Sequence, residues 1–139
     1  IQLERVAKSR IEIDTARLSV LNAAIKIDEG DAKSALKEIA EVKVQIPNML
    51  MDVLDRAMQA YGGAGVCQDT PLAYQWANGR TMRIVDGPDE VHMLQIGKNE
   101  NKKGDTLRKR IIAQQEKSRE LLGRYGLKYE DPLQLNRIS

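Results

Sequence analysis

The stretch LERVAKSRIEIDTARLSVLNAAIKIDEGD, residues 3–31, predicts the fold class of this chain. It contains no glycine or proline before Gly30, and its apolar residues recur at the spacing of an α-helix. These positions occupy more than one side, so we expect a long helix over residues 3–29 that is buried on several sides. Gly30 is expected to end this helix in the left-handed conformation, and Asp31 to cap the next one.

The rest of the chain continues as helical segments separated by turns that contain glycine or proline. A second helix is predicted from about Ala32 to Tyr61, with Pro47 either kinking it or dividing it into two helices. After a loop at 64–70, Thr70 is expected to cap a helix that begins with a proline. The later helices are predicted at about 71–84, 88–102 and 106–124. The pattern predicts an all-α, up-down helical bundle with an extra charged C-terminal helix.

Composition excludes several classes of function. Of 139 residues, 42% are apolar and 4% aromatic with no Phe, so the core is expected to be aliphatic. A net charge of +2 argues against nucleic acid as the main partner. No apolar run approaches the roughly 20 residues of a transmembrane segment. The chain begins with Ile1 rather than Met, so we expect an excerpt of a longer protein or a processed one.

The first informative turn is QAYGGAG, residues 59–65. Three glycines within four positions allow another backbone or a phosphate to approach closely. One interpretation is a plain helix end with a flexible exit, and the other is a surface on which the pyrophosphate or adenosine of a cofactor rests. The cluster is not a Walker loop, which needs a following Lys and Ser or Thr, and it follows no strand, which excludes a Rossmann fingerprint.

The second informative turn is RIVDGPDEVH, residues 83–92. Asp86 precedes Gly87, so its carboxylate can project from a helix end into a cleft, although Asp-Gly-Pro-Asp is also ordinary turn chemistry. His92 is the sole histidine and has no second ligand at metal-binding spacing, so no metal site is predicted and a satisfied surface or interface role is expected. Cys67 is expected to be unreactive.

Together, these two turns resemble a known family. Residues 57–66, AMQAYGGAGV, resemble the A-x-Q-x-x-G-G-x-G segment of the acyl-CoA dehydrogenases, and residues 83–92 resemble that family's R-x-x-x-I-x-E-G-T-x-x-I-Q region. The sequence DGPDEVH, residues 86–92, is similar to the corresponding segment in the subgroup of family members 10 and 11. The resemblance covers roughly residues 5–103. It divides the chain into a C-terminal helical domain, 1–103, incomplete at its N-terminus, and a helical extension, 104–139, whose tail after Gly126 is expected to be a peripheral arm.

The resemblance implies an α,β-dehydrogenation of an acyl-CoA. In this family a carboxylate abstracts the α proton while FAD accepts the β hydride. The matching carboxylate is Asp86, one methylene shorter than the family's usual Glu, and Gly87 would lie against the substrate. The implied cofactor contacts in this sequence are Gln59, Gly62, Gly63, Pro88 and Glu90. Pro88 and Glu90 stand where the family usually has Thr and Gln, so Pro88 lacks the hydroxyl and the amide donor of that position.

The resemblance also implies partners. These are the acyl-CoA substrate, electron-transfer flavoprotein and further copies of the chain in a dimer or tetramer, with a mitochondrial or peroxisomal location and a place in fatty acid β-oxidation. In the family the glycine turn touches FAD that is bound mainly to a neighbouring subunit. The domains that cradle the flavin and the acyl chain are not in this sequence, so we expect the isolated chain to be inactive. The alternative is a non-enzymatic helical module for oligomerisation or interaction that kept the fold.

Overall fold

A computed structural model describes residues 1–130, and these residues form α-helices and no strand. The helices are α1 (Gln2–Glu29), α2 (Leu36–Tyr61), α3 (Gly63–Val66), α4 (Leu72–Met82) and α5 (Asp89–Arg124). The predicted all-α class is therefore confirmed. The chain divides into two compact units, residues 1–98 and 99–139. None of the helices in the described part is both long and apolar enough to cross a membrane.

Helices α1 and α2 pack as an antiparallel pair. Small side chains make the contact close, because Ala16 and Ala23 of α1 are buried. Near the other end of the pair, the Arg56 guanidinium forms an ion pair with Glu12, and its Nε donates to the Ser9 hydroxyl at 3.1 Å. This ion pair fixes the register of the two helices, since it joins residues 44 positions apart in sequence.

Helix α2 is the centre of the first unit, because α4 packs antiparallel on it as well. Gly79 of α4 is buried against Leu50 and Met51, and an added Cβ would lie 3.3 Å from Leu50 Cδ2. The Lys43 ammonium donates to the Met82 carbonyl at 2.6 Å and so satisfies one of the free acceptors at the end of α4. Pro47 is fully buried inside α2, which continues through it, so the alternative of two separate helices is wrong.

The predicted junction between the first two helices needs correction. Gly30 has φ −142° and ψ −111°, which is not the left-handed conformation, and α2 begins at Leu36 rather than Ala32. Asp31 instead closes a turn with Ser34: the Ser34 amide donates to Asp31 Oδ1 at 2.8 Å, and the Asp31 amide donates to Ser34 Oγ at 3.1 Å. A Cβ on residue 30 would lie 2.5 Å from Ser34 Oγ, so a side chain there would displace the Ser34 hydroxyl from its bond with the Asp31 amide.

Two other boundaries differ from the sequence prediction. The predicted loop at 64–70 contains the short helix α3, and Thr70 donates its hydroxyl to the Ala64 carbonyl at 3.0 Å instead of capping α4. The predicted break at Gly104 is wrong, because α5 continues through it to Arg124. A single glycine costs a helix only about 1 kcal/mol, which its neighbours can offset. The tail after Gly126 falls largely on residues 131–139, outside the described residues.

Much of the apolar surface of α1 is exposed in this chain. Leu3 is 86% exposed, and Val6, Ile11, Leu18, Leu21 and Ile25 are also more than half exposed. The prediction that this helix is buried on several sides is therefore not met by residues 1–130, since α2 covers one side. Exposed apolar patches of this kind typically mark contact with other protein surface.

Candidate functional site

The glycine turn forms a shallow groove at the end of α2. Gly62 has φ +63°, a conformation that disfavours residues with a side chain, and no atom lies within 4 Å of the positions where a Cβ on Gly62 or Gly63 would be. The Gln59 side chain is exposed beside them. The groove is lined by Asp55, Met58, Gln59, Gly62, Gly63 and Val66. The turn therefore presents open backbone and one amide side chain to any molecule that approaches.

Gly65, the third glycine of the turn, has a structural role. It is buried, and a Cβ there would lie 2.4 Å from the Met58 carbonyl oxygen and 2.8 Å from Met58 Cα. The absence of a side chain lets α3 pack directly on the backbone of α2. This contact holds Gly62 and Gly63 in place beside Gln59.

The acidic turn between α4 and α5 has an unusual backbone. Asp86 has φ +54° and is the one non-glycine residue with positive φ in the part of the chain that the structure describes. Gly87 follows with φ +100°. The left-handed conformation costs a residue with a side chain roughly 1–2 kcal/mol, so the surrounding structure must hold Asp86 in it. The Asp86 side chain is exposed, and no backbone carbonyl of residues 1–130 accepts a hydrogen bond from its amide.

Asp89, three residues later, is buried and charged. It is 4% exposed, and its Oδ2 accepts hydrogen bonds from Arg83 Nε at 2.7 Å and from Asn48 Nδ2 at 3.1 Å. Burial alone would raise the pKa of this carboxyl, but the hydrogen bonds from Arg83 and Asn48 and the charges of Arg83 and Arg80 outweigh burial and lower the pKa. Asp89 is therefore ionised in the folded chain at neutral pH.

The structure of His92 differs from the sequence prediction. It was expected to be a satisfied surface or interface residue, yet its Nε2 is buried and has no hydrogen-bond partner among the described residues. The imidazole lies against the acidic turn, since a Cβ on Gly87 would be 3.1 Å from His92 Nε2. Spacing alone gave little sign of this contact, because it depends on how the turn folds back onto α5.

The structure does not bring the two turns together within one chain. The acidic turn is anchored at Asn48 through Asp89, whereas Gln59 lies eleven residues further along α2, a rise of about 16 Å along the helix axis. Asp86, Gly87, Pro88 and Glu90 therefore belong to a turn held at the middle of α2, and Gln59, Gly62 and Gly63 lie at its C-terminal end. The two sets form separate parts of any site to which this chain contributes.

The remaining reactive side chains form no further cluster. Cys67 donates weakly to the Ala64 carbonyl at 3.3 Å and lies 3.6 Å from Asp69 Oδ2. Over residues 1–130, no group of three or more His, Cys, Asp or Glu side chains is arranged to hold a metal ion. The chemistry of this part of the chain therefore centres on the two turns.

Comparison with known proteins identifies the family. The family model described as "Acyl-CoA dehydrogenase, C-terminal domain" matches residues 2–100. Acyl-CoA dehydrogenase family member 11 of Rattus norvegicus is 52% identical over 95 residues, which are 68% of this chain and 12% of that protein. A relative from Arabidopsis thaliana, named as a probable acyl-CoA dehydrogenase, is 49% identical over 102 residues, which are 73% of this chain and 12% of the relative.

A solved structure gives the same result in three dimensions. A Mycobacterium abscessus protein described as an acyl-CoA dehydrogenase superposes with a TM-score of 0.70 and 45% identity, covering 72% of this chain and 25% of that one. The chain thus spans about an eighth to a quarter of the length of the relatives and the structure it matches. Both turns lie inside the matched range. With residues 2–100 forming the C-terminal helical domain, the chain belongs to the acyl-CoA dehydrogenase family.

Proposed function

We propose that this chain is the C-terminal part of a flavin-dependent acyl-CoA dehydrogenase in which Asp86 is the base. The observation that carries the proposal is the conformation of Asp86: its backbone has positive φ, and its carboxylate is exposed at the head of a turn anchored on α2. Strained backbone of this kind is concentrated at functional sites. The relatives named as acyl-CoA dehydrogenases match the chain across this turn.

The turn provides two groups for the reaction. The Asp86 carboxylate takes the proton from the α carbon of the acyl-CoA, and its backbone amide, which has no backbone acceptor within residues 1–130, donates to the thioester carbonyl and stabilises the charge that develops there. In this proposal the backbone of Gly87 lies against the substrate, while the position that a Cβ on Gly87 would take faces His92 Nε2 at 3.1 Å. When FAD is bound, it accepts the hydride from the β carbon.

The glycine groove fits part of this cofactor. The exposed Gln59 amide can both donate and accept hydrogen bonds, and Gly62 and Gly63 leave the surface open. Among residues 1–130 no basic side chain lines the groove, and the Asp55 carboxylate does, so charge favours the hydroxyl-bearing ribose and the adenine over the pyrophosphate. At the other turn, Pro88 and Glu90 are exposed. Pro88 has no N–H to donate, whereas Glu90 can accept a bond from a ribose hydroxyl.

The separation of the two turns supports a site shared between copies of the chain. With about 16 Å of α2 between Asn48 and Gln59, the glycine groove of one subunit contacts the cofactor of another subunit in this proposal. A homodimer or homotetramer would supply that arrangement. The proposal also includes acyl-CoA as the substrate and electron-transfer flavoprotein as the electron acceptor. It further includes a role in fatty acid β-oxidation and a mitochondrial or peroxisomal location.

Replacing Asp86 by Asn in the full-length enzyme tests the assignment of the base. Asn cannot accept the α proton, so we expect Asp86→Asn to keep its FAD absorbance and to lose dehydrogenation. Asp105→Asn, an exposed carboxylate on α5, is the matched control and should keep the wild-type rate. An Asp86→Asn enzyme that turns over at the wild-type rate would remove Asp86 from the mechanism.

The alternative function is a non-enzymatic helical module for oligomerisation or interaction. It is favoured by the exposed apolar face of α1 and by the charged second half of α5. Flavin absorbance in the purified 139-residue chain would favour the dehydrogenase over this alternative. Under either function, we expect little or no FAD and no activity from this chain alone. Light scattering is expected to show self-association driven by α1, and a monomer at high concentration would contradict it.

A further inference from the structure

We propose that Arg83, Asp89 and Asn48 are positioning residues that hold the Asp86 carboxylate in its reactive geometry. This inference rests on the proposed function, since it assigns residues that act through the proposed base. None of the three is among the base, substrate or cofactor contacts that the family resemblance implies. They are expected to act on Asp86 through the backbone of the turn and not by touching the substrate.

Arg83 and Asp89 close the turn from both sides. The Asp89 amide donates to the Arg83 carbonyl at 3.2 Å, and Arg83 Nε donates to Asp89 Oδ2 at 2.7 Å. One backbone bond and one charge-assisted bond thus join the two residues that flank positions 84–88. Asp86 and Gly87 lie in the middle of this closed segment, where both have positive φ.

Asn48 connects the closed turn to α2. Its Nδ2 donates to Asp89 Oδ2 at 3.1 Å and to the Val44 carbonyl of α2 at 2.7 Å. Lys43 holds the end of α4 from the same part of α2, through its bond to the Met82 carbonyl. The position of the turn relative to α2 is therefore fixed by side chains of α2 itself.

The burial and charge of Asp89 make the closed turn depend on Arg83. Asp89 is almost completely buried and ionised, so the Arg83 guanidinium neutralises, and the Asn48 amide hydrogen-bonds, a charge that would otherwise be costly to bury. When Arg83 is lost, Asp89 must either move toward solvent or take up a proton. Either change opens the segment and lets Asp86 return to an ordinary φ. The Asp86 carboxylate is then displaced, and a shift of about 1 Å at a reacting group can cost roughly 100-fold in rate.

Single-turnover kinetics of the full-length enzyme test the proposal. The probe is whichever of butanoyl-, octanoyl- and hexadecanoyl-CoA the wild type oxidises fastest, mixed without oxygen while flavin absorbance is followed. Arg83→Gln and Asp89→Asn should slow flavin bleaching at saturating substrate by about 10- to 100-fold. FAD content and the half-saturating substrate concentration should stay within about twofold of wild type. Arg83→Lys, which retains the charge, should recover part of the rate.

The matched control is Glu12→Gln, which breaks the Arg56 ion pair between α1 and α2 and leaves the bonds of Arg83, Asp89 and Asn48 in place. It should lower stability and leave the bleaching rate of the folded enzyme unchanged. Asn48→Ala, which removes one of the two donors to Asp89, should give a smaller decrease in rate than Arg83→Gln. If an Arg83 or Asp89 variant does not fold, Asn48→Ala and Arg83→Lys decide the question.

A second readout does not depend on activity. Hydrogen exchange should be faster in the Arg83→Gln enzyme than in the wild type for peptides covering 83–92. Exchange in α1 should be the same in both enzymes. This inference is overturned if Arg83→Gln, Asp89→Asn and Asn48→Ala bleach flavin at rates within twofold of wild type while Asp86→Asn abolishes bleaching. That result would leave the proposed base intact. Wild-type bleaching by Asp86→Asn would overturn the proposed function itself.

Discussion

Replacing Gly65 by alanine should destabilise the chain more than any other glycine substitution in the glycine turn. The new Cβ would lie 2.4 Å from the Met58 carbonyl oxygen, 2.8 Å from Met58 Cα and 2.9 Å from its carbonyl carbon. Ordinary contacts of a Cβ begin at 3.4 Å, and all three neighbours are main-chain atoms that no rotamer change can move. Helix α3 must therefore shift by about 1 Å from α2, and overpacking of this kind costs about 1–3 kcal/mol.

We expect the upper end of that range because the clash is with backbone. Since 1 kcal/mol moves the Tm of a domain of about 100 residues by roughly 4–8 °C, Gly65→Ala should lower the Tm by about 10 °C or more. Thermal unfolding followed by circular dichroism at 222 nm measures the change. Gly63→Ala is the matched control, two residues away in the same helix, because its Cβ would meet no atom within 4 Å. Equal Tm values for the two variants would show that α3 does not pack on α2 as described.

Three further predictions follow from local contacts. Gly104→Ala should stabilise α5 by about 0.5–1 kcal/mol, because Gly104 lies inside the helix with open space around it, and urea unfolding that shows no gain would contradict a continuous helix there. Glu12→Gln should lower the free energy of unfolding by about 1–3 kcal/mol, because the partly buried Arg56 loses its ionic partner, and a change below about 0.5 kcal/mol would indicate that the pair is solvated. Because folding lowers the pKa of Asp89, the ionised Asp89 stabilises the fold above the ordinary carboxyl pKa of about 4, and this stabilisation is lost as the pH falls through the lowered pKa. The free energy of unfolding, measured between pH 2 and 7, should therefore fall less on acidification in Asp89→Asn than in the wild type. Identical pH profiles of the two proteins would refute this prediction.

The helical class and most element positions could be predicted from the sequence because they depend on local chemistry. The apolar spacing and the absence of glycine and proline predict α1, and the glycines after Tyr61 predict the end of α2. The boundaries that were predicted wrongly depend on competing local bonds. Asp31 and Ser34 bond to each other and delay α2, and Thr70 bonds back to Ala64. At Gly104 the favourable neighbours outweigh the helix cost of one glycine.

The candidate site divides in the same way. The motif residues Gln59, Gly63 and Asp86 could be found from the sequence, because their spacing resembles that of a known family. The bonds that hold Asp86 could not, since Asn48 and Asp89 are 41 positions apart and meet only because α4 packs on α2 and brings the turn that follows it to Asn48. The same applies to His92, whose buried Nε2 faces Gly87.

By itself, the sequence determined that this chain is a set of amphipathic helices carrying two motif-bearing turns, because helical periodicity and turn chemistry act over a few residues. Tertiary structure alone decided that the acidic turn lies at the middle of α2 and the glycine turn at its C-terminal end, that Gly65 and Gly79 are packing positions, and that Asp89 is a buried ion held by Arg83 and Asn48. The physical reason is that burial, charge pairing and close backbone contact depend on which distant segments meet, and that is set by the packing of whole helices.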